Sequence, residues 1–335
     1  VDAVNLGDMW TLDNETLEWT WVGGVSDPLE TWEPVYGEPG VANPSITPGR
    51  RVGSACWTGP NGDLWLFGGR AELAAVGEVV FADLWRFEVD SLAWAFEGGS
   101  SEPGDDGSYG VIGAPSAEHH PPARRSAAAW TDSEGRFWLF GGVRDADGCP
   151  VLDDLWRFDP DAGTWTWLAG GPDGPGACAG GEYGPLGVPG GDSAPGGRFG
   201  AVGRAFAEGD AMIFGGRGYR DAELGFLPDL WRFHFALGQW SWEGGEGVDS
   251  PGNHDGLGVA SDASWPGARR GHAGWFAEGG LWIFGGVGFG VDEETTFEGP
   301  LADVWRLDAG NGQWTLAAGP EDVVFEGSHG AAGEA

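Results

Sequence analysis

The chain has 335 residues, enough for a sizeable core, and carries 52 acidic against 17 basic residues, a formal net charge of −35. All the basic residues are arginine, and eight of them sit at two repeated positions, so too few are left for a phosphate-binding patch. That argues against nucleic acid and against an anionic membrane surface; no apolar run is long enough for a transmembrane helix, and Val1-Asp2-Ala3 opens without the basic, apolar pattern of a signal peptide.

In chain order, Asp8 to Leu12 and Leu17 to Val22 alternate like half-buried strands. The tight turn between them holds the sequon Asn14-Glu15-Thr16, a candidate N-glycosylation site. The unit at about 50–98 runs from Arg51 through Leu64-Trp65-Leu66-Phe67-Gly68-Gly69 to Asp83, Trp85 and Trp94. The next, about 124–169, shows the pattern most clearly. Arg124 opens a strand of small residues ending at Trp130, and a turn leads to the apolar run Phe137-Trp138-Leu139-Phe140 and to Gly141-Gly142. After a loop, Asp154-Leu155-Trp156-Arg157-Phe158 and Thr164-Trp165-Thr166-Trp167-Leu168 alternate again. Units at about 198–244 (Arg198, Asp229, Trp231) and 269–318 (Arg269, Asp303, Trp305) repeat the scheme, and a tail, 319–335, holds the apolar triplet Val323-Val324-Phe325. Each unit therefore reads as four strands, a to d.

Four short antiparallel strands per repeat, with paired glycines after the second, are the marks of a propeller blade. Asp-x-Trp occurs five times and Phe-Gly-Gly four times, at a period just over 70 residues. These phrases resemble the kelch family, most closely a tryptophan-rich, long-repeat kelch group. The resemblance implies an all-β kelch-type propeller as a single domain over 1–335, with four complete blades and a half blade at 1–22, completed by a longer polypeptide or by another chain. Ordinary kelch repeats are near 50 residues, so about 20 per unit need a place. They fall in the b–c loops and the d–a links, which leave from one end of the blades. Three links carry Tyr-Gly-x-x-Gly, at Tyr36, Tyr109 and Tyr183, and a fourth has His254 in the tyrosine slot. Repetition inside a loop predicts defined structure, with the tyrosine as a packing anchor.

The repeated Arg51, Arg124, Arg198 and Arg269 and the repeated Asp83, Asp154, Asp229 and Asp303 are expected to form ion pairs between strands, the carboxylates also accepting from Trp85, Trp156, Trp231 and Trp305. Asp145, Asp147 and Asp153 offer hard oxygens in a glycine-bearing loop, a candidate Ca²⁺ site without the full loop pattern; no other cofactor is expected. Cys149 and Cys178, in neighbouring long loops, are expected to form a disulfide, the alternative being two unpaired surface thiols. Cys56 reads as a buried small hydrophobe, His272 as a satisfied structural histidine, and His119-His120 as too few ligands for a metal site.

The resemblance also brings in enzymes with a copper centre or a central-channel site, and the copper constellation of paired tyrosines, cysteine and histidines is not present in this pattern. The expectation is a non-catalytic interaction or structural module, extracellular or at the cell surface, holding a protein partner or assembly neighbours through the long connections. Carbohydrate binding and a channel-site enzyme are the alternatives.

Overall fold

The computed structural model describes residues 7–24, 33–144, 151–171, 180–206, 209–291 and 298–320. Among them every regular element is a strand, and no helix forms. The chain divides into two compact units, Val1–Ala177 and Cys178–Ala335.

In the first unit, β1 (Met9–Leu12) and β2 (Trp19–Gly23) form an antiparallel hairpin. The first repeat supplies β3 (Ala55–Thr58), β4 (Leu64–Phe67), β5 (Arg70–Leu73), β6 (Gly77–Val80), β7 (Ala82–Glu88) and β8 (Ala93–Ser100). Here β3, β4, β7 and β8 pair in that order as an antiparallel meander, and β5–β6 is a separate hairpin. The second repeat is the meander β9 (Ala128–Thr131), β10 (Phe137–Phe140), β11 (Leu155–Asp159) and β12 (Thr164–Ala169).

In the second unit, the third repeat supplies β13 (Arg198–Phe199), β14 (Val202–Phe206), β15 (Asp210–Phe214), β16 (Arg217–Arg220), β17 (Glu223–Phe226), β18 (Leu230–His234) and β19 (Gln239–Gly244). Its meander is β14-β15-β18-β19, while β13, β16 and β17 form a small second sheet. The fourth repeat is a five-stranded sheet of β20 (Arg269–Arg270), β21 (Ala273–Ala277), β22 (Gly280–Gly288), β23 (Gly299–Asp308) and β24 (Trp314–Ala318), both β20 and β21 pairing with β22.

The b–c connections are thus more than loops. In the first and third repeats they fold as hairpins, and in the fourth they prolong β22 and β23. The residues just before strand a pair with the start of this connection, as Val52 with Arg70 and Arg125 with Val143. The repeated arginines therefore precede strand a rather than opening it: Arg51 lies four residues before β3 begins at Ala55.

The outer edge of each meander is covered by the link that leads into the same repeat. Gly113 donates its N–H to Trp167 O (2.7 Å) and Gly187 to Trp242 O (2.8 Å), with the same bond from Gly40 to Phe96 O and from Gly258 to Leu316 O. An unpaired edge strand invites association with other chains, and here the glycine turn occupies it. Each turn glycine sits at positive φ, 70–78° across the four copies, where a Cβ would be strained.

A bulge recurs inside every Asp-x-Trp phrase. Two residues of the outer strand oppose one of the third, between Leu155 and Trp156 and at the same place in the other four copies. Apolar faces then meet between successive repeats of a unit. Trp57, Phe67 and Trp65 pack with Phe137, Phe158 and Trp165 in the first unit; Val202 and Phe214 pack with Leu281, Ile283 and Trp314 in the second. Cys56 departs from its expected place: it is exposed, on the face of the first sheet turned away from the second repeat.

Candidate functional site

The repeated polar residues converge on one cluster per repeat, and the second repeat shows it in full. The Asp154 side chain is completely buried immediately before β11. Arg124, equally buried, donates from both terminal nitrogens, to Oδ1 at 2.6 Å and to Oδ2 at 2.6 Å. Oδ2 also accepts from the Trp156 indole N–H (2.7 Å) and the Tyr109 hydroxyl (2.8 Å). Two further guanidinium donors go to main-chain carbonyls, Gly141 O at 2.8 Å and Pro122 O at 3.0 Å. The first glycine of Phe-Gly-Gly is therefore an acceptor in the cluster as well as a turn residue.

The first and third repeats reproduce it. Arg51 and Arg198 pair with Asp83 and Asp229; Trp85 and Trp231 donate at 2.7 Å each; Tyr36 and Tyr183 donate at 2.9 and 2.7 Å. In the fourth, Arg269 pairs with Asp303 at 2.6 and 2.7 Å and Trp305 donates at 2.6 Å, while His254, in the tyrosine slot, accepts from the Gly256 N–H. The N-terminal copy has the Trp10–Asp8 bond at 2.7 Å, but it is exposed.

The electrostatics follow from this geometry. Burial acts to raise the Asp154 and Asp229 carboxyls, but the Arg124 and Arg198 charges and the donated hydrogen bonds outweigh it and hold both below the ordinary range. Burial, then the neighbouring carboxylate, pushes the Tyr36, Tyr109 and Tyr183 hydroxyls well above theirs. Three of the four donors converge on Oδ2 and one on Oδ1, and the whole carboxylate is buried, so its hydrogen-bonding capacity is spent mainly inside the scaffold. The tyrosines are equally committed: Tyr109 packs on Trp156 and Trp167, with ring centroids 5.1 Å from each. These are scaffold clusters.

The spacing predicts that Arg, Asp and Trp meet, and the structure brings them together. It does not reveal the tyrosine hydroxyl as a ligand of the aspartate. A near-constant separation of 47, 45 and 46 residues between tyrosine and aspartate was the signal that could have found it.

Other candidates scatter. Asp145, Asp147, Cys149 and Cys178 lie outside the described residues, as does the triplet Val323-Val324-Phe325. Asp153 is described: one oxygen accepts from the Gly171 N–H, and burial pushes its carboxyl up to about 6. Asn14 is exposed on the turn of the first hairpin. His119 and His120 part company, His119 bonding Ser108 Oγ at 2.8 Å and His120 the Pro121 carbonyl at 3.1 Å. Among the described residues no group of three or more metal-ligating side chains comes together.

His272 departs from the expected satisfied histidine. It is buried beside Phe214, with no hydrogen-bond partner for either ring nitrogen among the described residues. Burial, reinforced by Arg269 and Arg204, pushes its pKa down to about 3. The indole N–H groups of Trp65, Trp130 and Trp314 likewise find no acceptor.

Beyond these polar groups, the turns that cap the outer strands expose aliphatic side chains at matching places: Ile112, Leu186 and Leu257 at one position, Val41, Val188 and Val259 two residues on. The chain matches no protein-family model, and none of the curated proteins matches it significantly.

Proposed function

We propose that the chain is a kelch-type β-propeller module that acts without catalysis, outside the cell or at its surface, and holds a protein partner through its long connections. The propeller reading is supported by the meander order of the repeated sheets and by the packing of successive sheets face to face within each unit. The binding reading rests on one observation: equivalent capping turns expose an aliphatic side chain in repeat after repeat. A solubility-driven surface has no reason to keep apolar residues in register on turns, whereas a partner that touches several repeats does. The polar signature residues are already engaged in the scaffold, which leaves these turns and the b–c hairpins as the surface open to a partner.

The test is crosslinking mass spectrometry on natively purified protein, followed by the triple substitution of Ile112, Leu186 and Leu257 by serine. The expected result is crosslinks concentrated on the capping turns and loss of the co-purifying protein at unchanged thermal stability. Crosslinks confined to the short a–b and c–d turns, or a partner retained by the triple variant, would sink the reading.

A further inference from the structure

We infer that the second unit holds an anion site, in which Arg217 and Arg270 bind the carboxylate of a ligand from outside the chain. The site lies wholly within that unit, and the inference is independent of the capping turns.

The chain builds the same arginine pair in each unit but supplies its counter-ion in only one. In the first unit, the hairpin β5–β6 starts with Arg70 across from Val80, and Val52 bridges to Arg70 on the other side. In the second, β16–β17 starts with Arg217 across from Phe226, and Phe199 pairs with Arg217 on the other side. The following repeat then brings a second arginine to each hairpin. Ser126 donates its N–H to Gly53 O at 2.7 Å, and Gly271 to Gly200 O at 2.7 Å. The residue before each donor is arginine, Arg125 and Arg270. The acids do not repeat. Three pairs out from the root of the first hairpin, Glu72 lies across from Glu78, and Glu78 forms an ion pair with Arg70. The Arg70 hydrogen bond and charge, and then the charge of Arg125, hold the Glu78 carboxyl below its ordinary range. The same pair in the second hairpin is Tyr219 across from Leu224. There both arginines are kept and both carboxylates are replaced.

Residues that pair across strands share a face, so Phe199, Arg217, Tyr219, Leu224 and Phe226 stand together. The Arg217 guanidinium lies 5.5 Å from the Phe226 ring centroid. Arg270 comes to the same ring at 5.8 Å and to Phe199 at 5.6 Å. The Nε of each arginine is buried and finds no acceptor, and neither guanidinium has an ion pair among the described residues. Two cations about one ring repel each other, and a buried N–H without an acceptor is costly; an anion relieves both. A chain with 52 acidic residues does not lack carboxylates to place here, and this hairpin has put tyrosine and leucine where its sister has glutamates. The sister hairpin also identifies the ligand chemistry, since what its arginines take is a carboxylate, the group that the planar guanidinium fork fits. Leu224, 44% exposed, and Tyr219 give the carbon chain behind that carboxylate an apolar flank.

The experiment follows the arginine Nε–H signals of the full ¹⁵N-labelled chain, which has only 17 arginines, by NMR. The probes are sodium succinate and an oligoglutamate peptide, each taken to about 50 mM at ionic strength matched with NaCl. The expected result is that the two signals lost in Arg217→Gln and Arg270→Gln shift and saturate, with a Kd on the order of millimolar. The probe that binds tighter shows whether the carboxylate is free or carried by a peptide. Leu224→Glu restores the sister arrangement, so it is expected to weaken the probe at least about tenfold while the melting temperature stays the same or rises. Arg270→Gln is expected to weaken it to a similar degree; should that variant misfold, Leu224→Glu, at an exposed position, decides the matter. Three results overturn the inference: Arg217 and Arg270 signals that fail to saturate or move no more than the other arginines, a Leu224→Glu chain that binds like wild type, or inorganic phosphate that binds where both carboxylate probes do not. Any of these leaves the capping-turn reading standing, because Ile112, Leu186 and Leu257 lie outside this hairpin.

Discussion

At the scale of the residue, the repeated aspartate shows how a charge is kept inside a β fold. Removing one partner of a buried, hydrogen-bonded ion pair strands the other charge, at a cost of about 3–5 kcal/mol. Asp154→Asn is therefore expected to destabilise the chain by about that amount in urea titration, because Arg124 stays buried without its counter-ion. Asp8→Asn makes the same change beside Trp10 at an exposed site, replacing a charged acceptor by a neutral one, and is expected to change stability by less than about 0.5 kcal/mol. Equal losses from the two would mean that burial is not what gives the cluster its weight.

His272 supplies a pH test. Its folded pKa, about 3, lies below its unfolded value, so across the window from about 6.5 down to 3 the unfolded chain binds a proton that the native chain refuses. Stability is thus lost as pH falls through that window. Arg269 and Arg204 are the charges acting on the ring, and both oppose protonation. Asp153 works in the opposite sense: its folded pKa, about 6, is raised, so its contribution is present at low pH and lost as pH rises through 6. Asp154 and Asp229, held below the ordinary range, keep their contribution until the pH falls under about 4. The informative quantity is the difference between wild type and His272→Leu: the melting temperature of the variant should fall less between pH 7 and pH 4. Parallel curves would refute a buried neutral histidine.

At the scale of the element, the two kinds of repeated glycine do different work. Gly68 has φ +64°, and a Cβ there would lie 2.6 Å from Arg124 O, the carbonyl that accepts the Gly69 N–H. Backbone cannot move aside as a side-chain end can. Gly113 has φ +78°, and a Cβ there would meet nothing within 4 Å. Gly68→Ala is therefore expected to cost several times the ~1–2 kcal/mol of left-handed strain expected for Gly113→Ala. Denaturant titration of the two variants decides it. If Gly113→Ala were the worse, the capping turn, and not the junction between repeats, would set the stability of the unit.

At the scale of the whole molecule, net charge dominates. With 52 acidic and 17 basic residues, and four of the arginines committed to the clusters, most carboxylates face like charge. Self-repulsion destabilises a compact chain and is screened by salt, so the melting temperature is expected to rise by several degrees between about 0.01 and 0.5 M NaCl. Ca²⁺ at matched ionic strength would add to that rise only if the Asp145, Asp147 and Asp153 loop binds it, so a rise equal to that from Mg²⁺ would count against such a site.

Much of the fold was legible because a repeat presents the same physical problem several times over. Alternation located the strands, the paired glycines marked the end of the second strand in the first three repeats, and the recurrence of Asp-x-Trp 30–34 residues after an arginine predicted their ion pair. Less was legible in the connections. The β5–β6 and β16–β17 hairpins are read poorly from sequence because Arg70 to Val80 and Arg217 to Phe226 interrupt a short alternation with charged and turn residues. The Tyr109 hydroxyl reaches an aspartate 45 residues away, a partner that local pattern cannot name.

The sequence by itself determined the all-β class, the four-strand repeat and the arginine, aspartate and tryptophan of each polar cluster, since these follow from local alternation and from the repetition of charge from unit to unit. Only the tertiary structure decided that the links double back to cap the outer strands, that the tyrosines complete the aspartate shell, and that Arg270 of one repeat comes to the Arg217 hairpin of the one before. Those are properties of which surfaces meet, and alternation along a strand does not record them.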